Sequence, residues 1–198
     1  MVRGTYAPLP ATLLKPGISF HNPAQTLPER VSLEHSAIHV MTDLRQVSAV
    51  VIRPDDTVDE AHRRMVQRGV RLLLVLDHDR RVVGLITATD ILGEKPMKVT
   101  AERGCRREEI LVSDIMTPQE RLEVLDMADA SSAKVGHIVA TLTASGRQHA
   151  MVIDRDAQGI ERVRGLFSTT QIARQLGTAI PMAERVRTFA EIKSVLAV

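Results

Sequence analysis

The chain is expected to fold as an α/β (α+β) body of two β-α-β-β-α repeats related by a pseudo-two-fold axis, with an N-terminal arm and a C-terminal helix. Three observations lead there. The stretch Arg53 to Leu92 is echoed by Ser132 to Leu176, so that Gly69 and Asp77 recur as Gly146 and Asp154, each 77 residues on. Met41-Thr42 recurs as Met116-Thr117 after 75 residues and Gly84 as Gly165 after 81, a drift that the longer turn Arg155 to Arg164 accounts for. Within each copy, strand-length apolar runs alternate with stretches of helical periodicity. One repeat of this kind often cannot bury its apolar face alone, so the two are expected to share one body with a seam between them.

Composition narrows the function classes. Hydrophobic residues at 44% and charged residues at 25% match a globular domain and argue against wholesale disorder. Aromatics are only 2%, with no Trp, so the core must be aliphatic, and the stacking surfaces that hold single-stranded nucleic acid are missing. The 26 basic and 24 acidic residues are interleaved, which makes a mixed solvated surface and no nucleic-acid footprint. No run approaches the ~18 apolar residues needed to span a bilayer, and no secretory signal opens the chain. One cysteine, Cys105, leaves no internal disulfide and fits a reducing compartment, so a cytoplasmic location is expected.

The elements follow in order. Residues 1–30 carry Pro8, Pro10, Pro16, Pro23 and Pro28, which forbid a long helix or central strand, and read as an arm. Residues 31–93 form the first repeat with a lead-in helix at Arg30 to Val40. A strand at Val47 to Ile52 precedes a helix that starts behind Asp56 or Thr57 as N-cap and presents Val58, Ala61, Met65 and Val66 on one face. Gly69 closes that helix, and strands at Leu72 to Leu76 and Arg81 to Ile86 flank an Asp-rich turn. Runs that are apolar throughout imply strands covered on both faces by helices. Residues 94–113 are a charged linker in which Pro96 cuts the preceding helix short. Residues 114–180 repeat the pattern, with strands at Leu122 to Leu125, Ala150 to Ile153 and Arg162 to Phe167 and a helix carrying Val135, Ile138, Val139 and Leu142. Residues 181–198 place Met182, Val186, Phe189, Ile192, Val195 and Leu196 at helical spacing, an apolar stripe that must cover the body or a second subunit.

The motif that carries chemistry lies at the last strand-to-helix turn of the first copy, Gly84-Leu-Ile-Thr87-Ala-Thr89-Asp90. Together with the repeat, it resembles the CBS domain, and the two copies look like a stand-alone CBS pair, or Bateman module, over residues 40–177. The resemblance implies a regulatory, non-catalytic module that binds AMP, ADP or ATP, with S-adenosylmethionine as a further candidate, and needs no cofactor. Thr87 and Thr89 set hydroxyls beside the N–H groups of a helix start, where an anion is welcome. Asp90 is a short carboxylate suited to a ribose diol, and Val70 and Leu85 would wedge the adenine. Family modules complete each pocket from the opposite repeat, which assigns Ala133 and Lys134 to this site and Arg71 to a phosphate. The plainer role of Thr87 and Asp90 is to cap the helix.

The second copy reads Gly165-Leu-Phe-Ser168-Thr-Thr170-Gln171, with an amide where the carboxylate belongs. Each charged hydrogen bond lost costs on the order of 1.5–3 kcal/mol, so this weaker site, formed by Ser168, Thr170, Gln171 and Asp56, is expected to be poor or empty. One competent site per chain is the expectation. The resemblance also implies a homodimer and a separate regulated protein partner. A rival reading is a ligand-free oligomerisation scaffold with vestigial pockets. An enzyme is disfavoured: there is no nucleophile elbow, no Gly-Lys-Ser/Thr phosphate loop and no paired acid and base. His35 and His39 stand four apart without supporting ligands, and His149 reads as a strand-end histidine near the second pocket.

Overall fold

The computed structural model describes residues 15–16 and 24–180. The expected tail helix at 181–198 and most of the arm lie outside the described residues. In chain order, a 3-10 turn at Ala37–Val40 leads into β1 (Met41–Asp43), β2 (Val51–Ile52), α1 (Val58–Arg68), β3 (Leu72–Leu76), β4 (Val82–Thr87) and α2 (Ala88–Leu92). Then come α3 (Lys95–Arg103), α4 (Val112–Ile115), β5 (Thr117–Pro118), β6 (Val124–Asp126), α5 (Met127–Ser132), α6 (Val135–Ser145), β7 (His149–Arg155), β8 (Glu161–Ser168) and α7 (Thr169–Leu176).

Two four-stranded sheets form, in the orders β2-β3-β4-β5 and β1-β8-β7-β6. The repeats exchange their leading strands. β5 pairs with β4 of the first copy, Leu85 opposite Thr117, while β1 pairs with β8 of the second, Thr42 opposite Leu166. This exchange explains the repeated Met-Thr dipeptides and the two motif glycines. A Cβ on Gly84 would sit 2.7 Å from the Thr117 carbonyl, and one on Gly165 would sit 2.8 Å from that of Thr42. Neither carbonyl can retreat without breaking a strand pair.

Each sheet buries one face under helices and the other against its twin. Val58, Ala61 and Met65 of α1 pack with Leu73, Val75 and Ile86 in the first core. Val135, Ile138 and Leu142 of α6 pack with Val152 and Phe167 in the second. Leu72, Leu74 and Met151, with Leu85, Leu122 and Leu166 beside them, close the seam between the sheets. β3 is therefore apolar throughout because Leu73 and Val75 meet helices while Leu72 and Leu74 meet the other sheet; helices on both faces were expected.

Other expectations are corrected in detail. Only Ala37–Val40 of the lead-in is helical, because the Val31 N–H is held by the Gln175 carbonyl of α7 and Ser36 forms an antiparallel bridge with Lys134. Val66, expected inside, is 70% exposed. The strands expected at Val47 to Ile52 and Leu122 to Leu125 are observed as β2 at Val51–Ile52 and β6 at Val124–Asp126. Pro96 starts a helix: it occupies the first turn of α3, where its missing N–H costs nothing, and α2 ends at Gly93. The stretch read as a linker thus supplies α3 and α4, and Ile110, Val112 and Ile115 complete the first core. The last residues of the arm do drape the body, since the Gln25 amide donates to the Met41 carbonyl and accepts the Asp43 N–H.

Candidate functional site

β4 runs along the seam and ends at Thr87, where α2 begins. Thr87 is the N-cap and Asp90 the third helical residue, and the two close a capping box. The Asp90 N–H donates to the Thr87 hydroxyl oxygen at 3.3 Å. In return, Asp90 Oδ2 accepts the Thr87 N–H at 2.8 Å and the Thr87 hydroxyl at 2.6 Å. Asp90 Oδ1 pairs with Lys95 Nζ at 2.7 Å, and the carboxylate side chain is only 13% exposed. Lys95 Nζ also donates to the Ile115 carbonyl at 2.8 Å. The plainer capping role is therefore real, and it stands beside an open space.

That space is a cavity of about 700 Å³ along the seam, bordered by Thr87, Thr89 and Asp90. The size falls in the range of small-molecule sites. Leu72 and Leu85 form its apolar wall from the first repeat, and Met151 and Leu166 form it from the second. Arg147, Gln148 and His149, at the end of α6 and the start of β7, face the Asp90 turn from the second repeat. The Thr89 hydroxyl donates to Gln148 Oε1 at 3.0 Å, a direct bond between repeats.

The charges are arranged asymmetrically. Lys95, Arg121 and Arg147 are the cations of the lining, and Asp90 and Glu123 its carboxylates. Arg147 pairs with Glu123 at 3.2 Å and Lys95 with Asp90, while Arg121 lacks a carboxylate partner among the described residues. His149 is held neutral at pH 7. Burial pushes its pKa down to about 4, the nearby Arg71 charge adds to that, and Asp90 pulls weakly the other way.

The residues expected at this site divide. Thr87, Thr89, Asp90 and Leu85 border the cavity. Most of the helix start is already taken, however: the N–H groups of Thr87 and Asp90 close the cap, and that of Ala88 donates to the Arg71 carbonyl at 2.9 Å. Val70 packs on the first core, and Arg71 is exposed beside the lining. Ala133 and Lys134 stand away from the lining, because the lead-in segment covers the start of α6. The Ala133 carbonyl accepts the Ala37 N–H at 2.9 Å, and Lys134 Nζ pairs with Glu34 at 2.5 Å. The second repeat completes the cavity with the opposite end of that helix.

Around Gln171, side chains are committed to one another. Gln171 Nε2 donates to Gln175 Oε1 at 2.9 Å, and Arg174 donates to Gln171 Oε1. Ser168 is an N-cap without a side-chain cap bond, and Thr170 is exposed. Asp56 holds its own loop by accepting the Arg53 N–H at 3.1 Å. None of these four lines the cavity.

Sequence reasoning missed Lys95, Arg121, Arg147 and Gln148, and placed His149 near the wrong pocket. The signal was available: Arg147 and Gln148 fall one and two residues after Gly146, where Val70 and Arg71 follow Gly69. Among the described residues no group of His, Cys, Asp and Glu is placed to hold a metal ion. No helix among them is long and apolar enough to cross a membrane.

Comparison with known proteins bears on the fold. Residues 37–96 match the family model of the CBS domain. A crystal structure of an uncharacterized conserved protein from Pyrococcus horikoshii is similar at 20% identity, covering 80% of this chain and 99% of that one, with a TM-score of 0.53. A CBS domain crystal structure matches at 23% identity over 73% of this chain and 99% of that one, TM-score 0.52. CBSX2 of Arabidopsis thaliana in complex with AMP matches at 22% identity over 71% of this chain and 94% of that one, TM-score 0.49; the AMP is that protein's ligand. A homoserine O-acetyltransferase from Methanohalobium evestigatum shares 33% identity with 51 residues here, and the chain spans 10% of its length.

Proposed function

We propose that this chain, which matches the CBS domain model over residues 37–96 and shares its fold with a solved CBS domain structure, is a non-catalytic regulatory module that binds one adenine nucleotide in the seam cavity. The observation that carries this reading is the cavity itself, with a carboxylate and two hydroxyls from one repeat facing arginines from the other across apolar walls. Asp90 takes the ribose, Leu85 and Leu166 flank the base, and Arg121, Arg147 and Lys95 receive the phosphate. An anion is favoured over the sulfonium of S-adenosylmethionine, since the cations of the lining outnumber its carboxylates by one (Lys95, Arg121 and Arg147 against Asp90 and Glu123). Because both repeats touch the ligand, occupancy shifts their packing by its differential affinity for the two arrangements, and a dimer face or a partner protein reads the shift.

A thermal-shift series with AMP, ADP, ATP and S-adenosylmethionine, with and without magnesium, tests the reading. Ligand at about 100 times its dissociation constant stabilises by ~2.7 kcal/mol, which for a body of this size is several degrees. AMP, ADP or ATP is expected to raise the melting temperature; no shift from any of them supports the rival scaffold. One observation does favour that rival: both oxygens of Asp90 are engaged inside the protein.

A further inference from the structure

We infer that Lys95 is a built-in competitor for the ribose position, whose release on binding loosens α3; this rests on the proposed nucleotide site. A carboxylate offers about four acceptor positions. On Asp90 the Thr87 N–H and hydroxyl fill those of Oδ2, and the Lys95 ammonium takes one of Oδ1. A ribose diol needs two positions, so it displaces a bond already made. The cap bonds are intrahelical and short, whereas Lys95 is 46% exposed on a flexible stem, so Lys95 is the one that moves.

Its release has a mechanical consequence. Lys95 opens α3 and bridges Asp90 on the α2 turn and the Ile115 carbonyl at the end of α4, one residue before Met116 of the lining. The far end of α3 is tied separately, Arg103 to Asp114 at 2.7 Å. A diol at Asp90 thus removes one of the two bonds by which Lys95 holds the first turn of α3 and leaves the far end anchored, while the released ammonium stays within reach of a phosphate. A nucleoside without phosphate loses the ion pair and gains nothing for the ammonium; a nucleotide recovers the charge contact. The latch therefore discriminates nucleotide from nucleoside.

Calorimetric titration of adenosine, AMP and 2′,3′-dideoxyadenosine into the wild-type chain, Lys95→Met and Lys95→Arg tests this. Removing a half-exposed ion pair is expected to tighten adenosine binding roughly two- to five-fold in Lys95→Met, leave dideoxyadenosine unchanged and narrow the preference for AMP. Lys95→Arg keeps the cation and behaves as wild type. Amide hydrogen exchange across α3 rises with AMP in the wild type and is already raised in Lys95→Met. Should Lys95→Met melt early, Lys95→Gln carries the same comparison. Adenosine binding no tighter in the neutral variants, or an equal gain for dideoxyadenosine, overturns the latch while wild-type binding stands. A wild-type chain that takes up neither adenosine nor AMP overturns the nucleotide reading and the latch with it.

Discussion

Asp90→Asn isolates the charge of the central carboxylate. The amide keeps an oxygen that accepts the Thr87 N–H, so the cap of α2 survives; Asp90→Ala would remove it and destabilise by about 0.5–2 kcal/mol. The lost pair with Lys95 is half-exposed on the lysine side and contributes about 0.2–1 kcal/mol. The Thr87 bonds to Oδ2 also lose their charge assistance, and with it part of that cap energy, so at 2–4 °C per kcal/mol Asp90→Asn should melt at most about 12 °C below wild type. Binding is read separately by calorimetry on the folded variant. Turning two charge-assisted hydrogen bonds into neutral ones costs about 2–3 kcal/mol, and relief of the Lys95 competition returns at most about 1 kcal/mol. The net loss of about 1–3 kcal/mol is roughly a five- to 150-fold weaker AMP dissociation constant by calorimetry. Affinity within two-fold of wild type, in a variant that still melts cooperatively, refutes the assignment of the ribose to this carboxylate.

Three further perturbations follow from the packing. His149 is neutral and depressed to about 4 in the folded chain, against 6.5 unfolded, so the unfolded state binds more protons between those values. Its contribution is present above pH 6.5 and lost as pH falls toward 4, at up to about 1.4 kcal/mol per pH unit; urea melts of His149→Gln should show a shallower slope there, and an unchanged slope contradicts the burial argument. Gly84→Ala and Gly165→Ala each press a Cβ onto a carbonyl of the exchanged strand, at 2.7 and 2.8 Å, and should destabilise by about 1–3 kcal/mol in chemical denaturation; a neutral result at either position breaks the explanation of the repeated glycine. Gln171→Asp supplies the carboxylate that Ser168 lacks, and should raise stability by about 0.5–1 kcal/mol by completing a capping box, with AMP stoichiometry measured alongside to see whether a second site opens.

The repeat and its internal periodicity made most of the fold legible. Gly69 and Gly146 end α1 and α6 with φ of 63° and 62°, as their place after the apolar periods implied. What the sequence hid was exchange between the halves. The Met-Thr dipeptides matched each other, but nothing local shows that Met41-Thr42 pairs with the second sheet and Thr117-Pro118 with the first. Pro96 was misleading because proline is compatible both with the end of one helix and the first turn of the next. The site followed the same division. Thr87, Thr89 and Asp90 fall within one four-residue turn and are readable as such, and Lys95 reaches Asp90 across the short α2–α3 connection, whereas Arg121 and Arg147 meet them only through tertiary folding. Lys134 was misplaced because the end of α6 that faces the cavity depends on how the repeats are docked.

The most direct test of the account is a crystal structure of the chain grown with AMP. The account predicts one nucleotide per chain, its ribose hydroxyls within hydrogen-bond distance of Asp90, its phosphate against Arg121 or Arg147, and Lys95 withdrawn from the carboxylate. Density at Gln171 instead, or an empty seam with Lys95 still on Asp90 at saturating AMP, would contradict it.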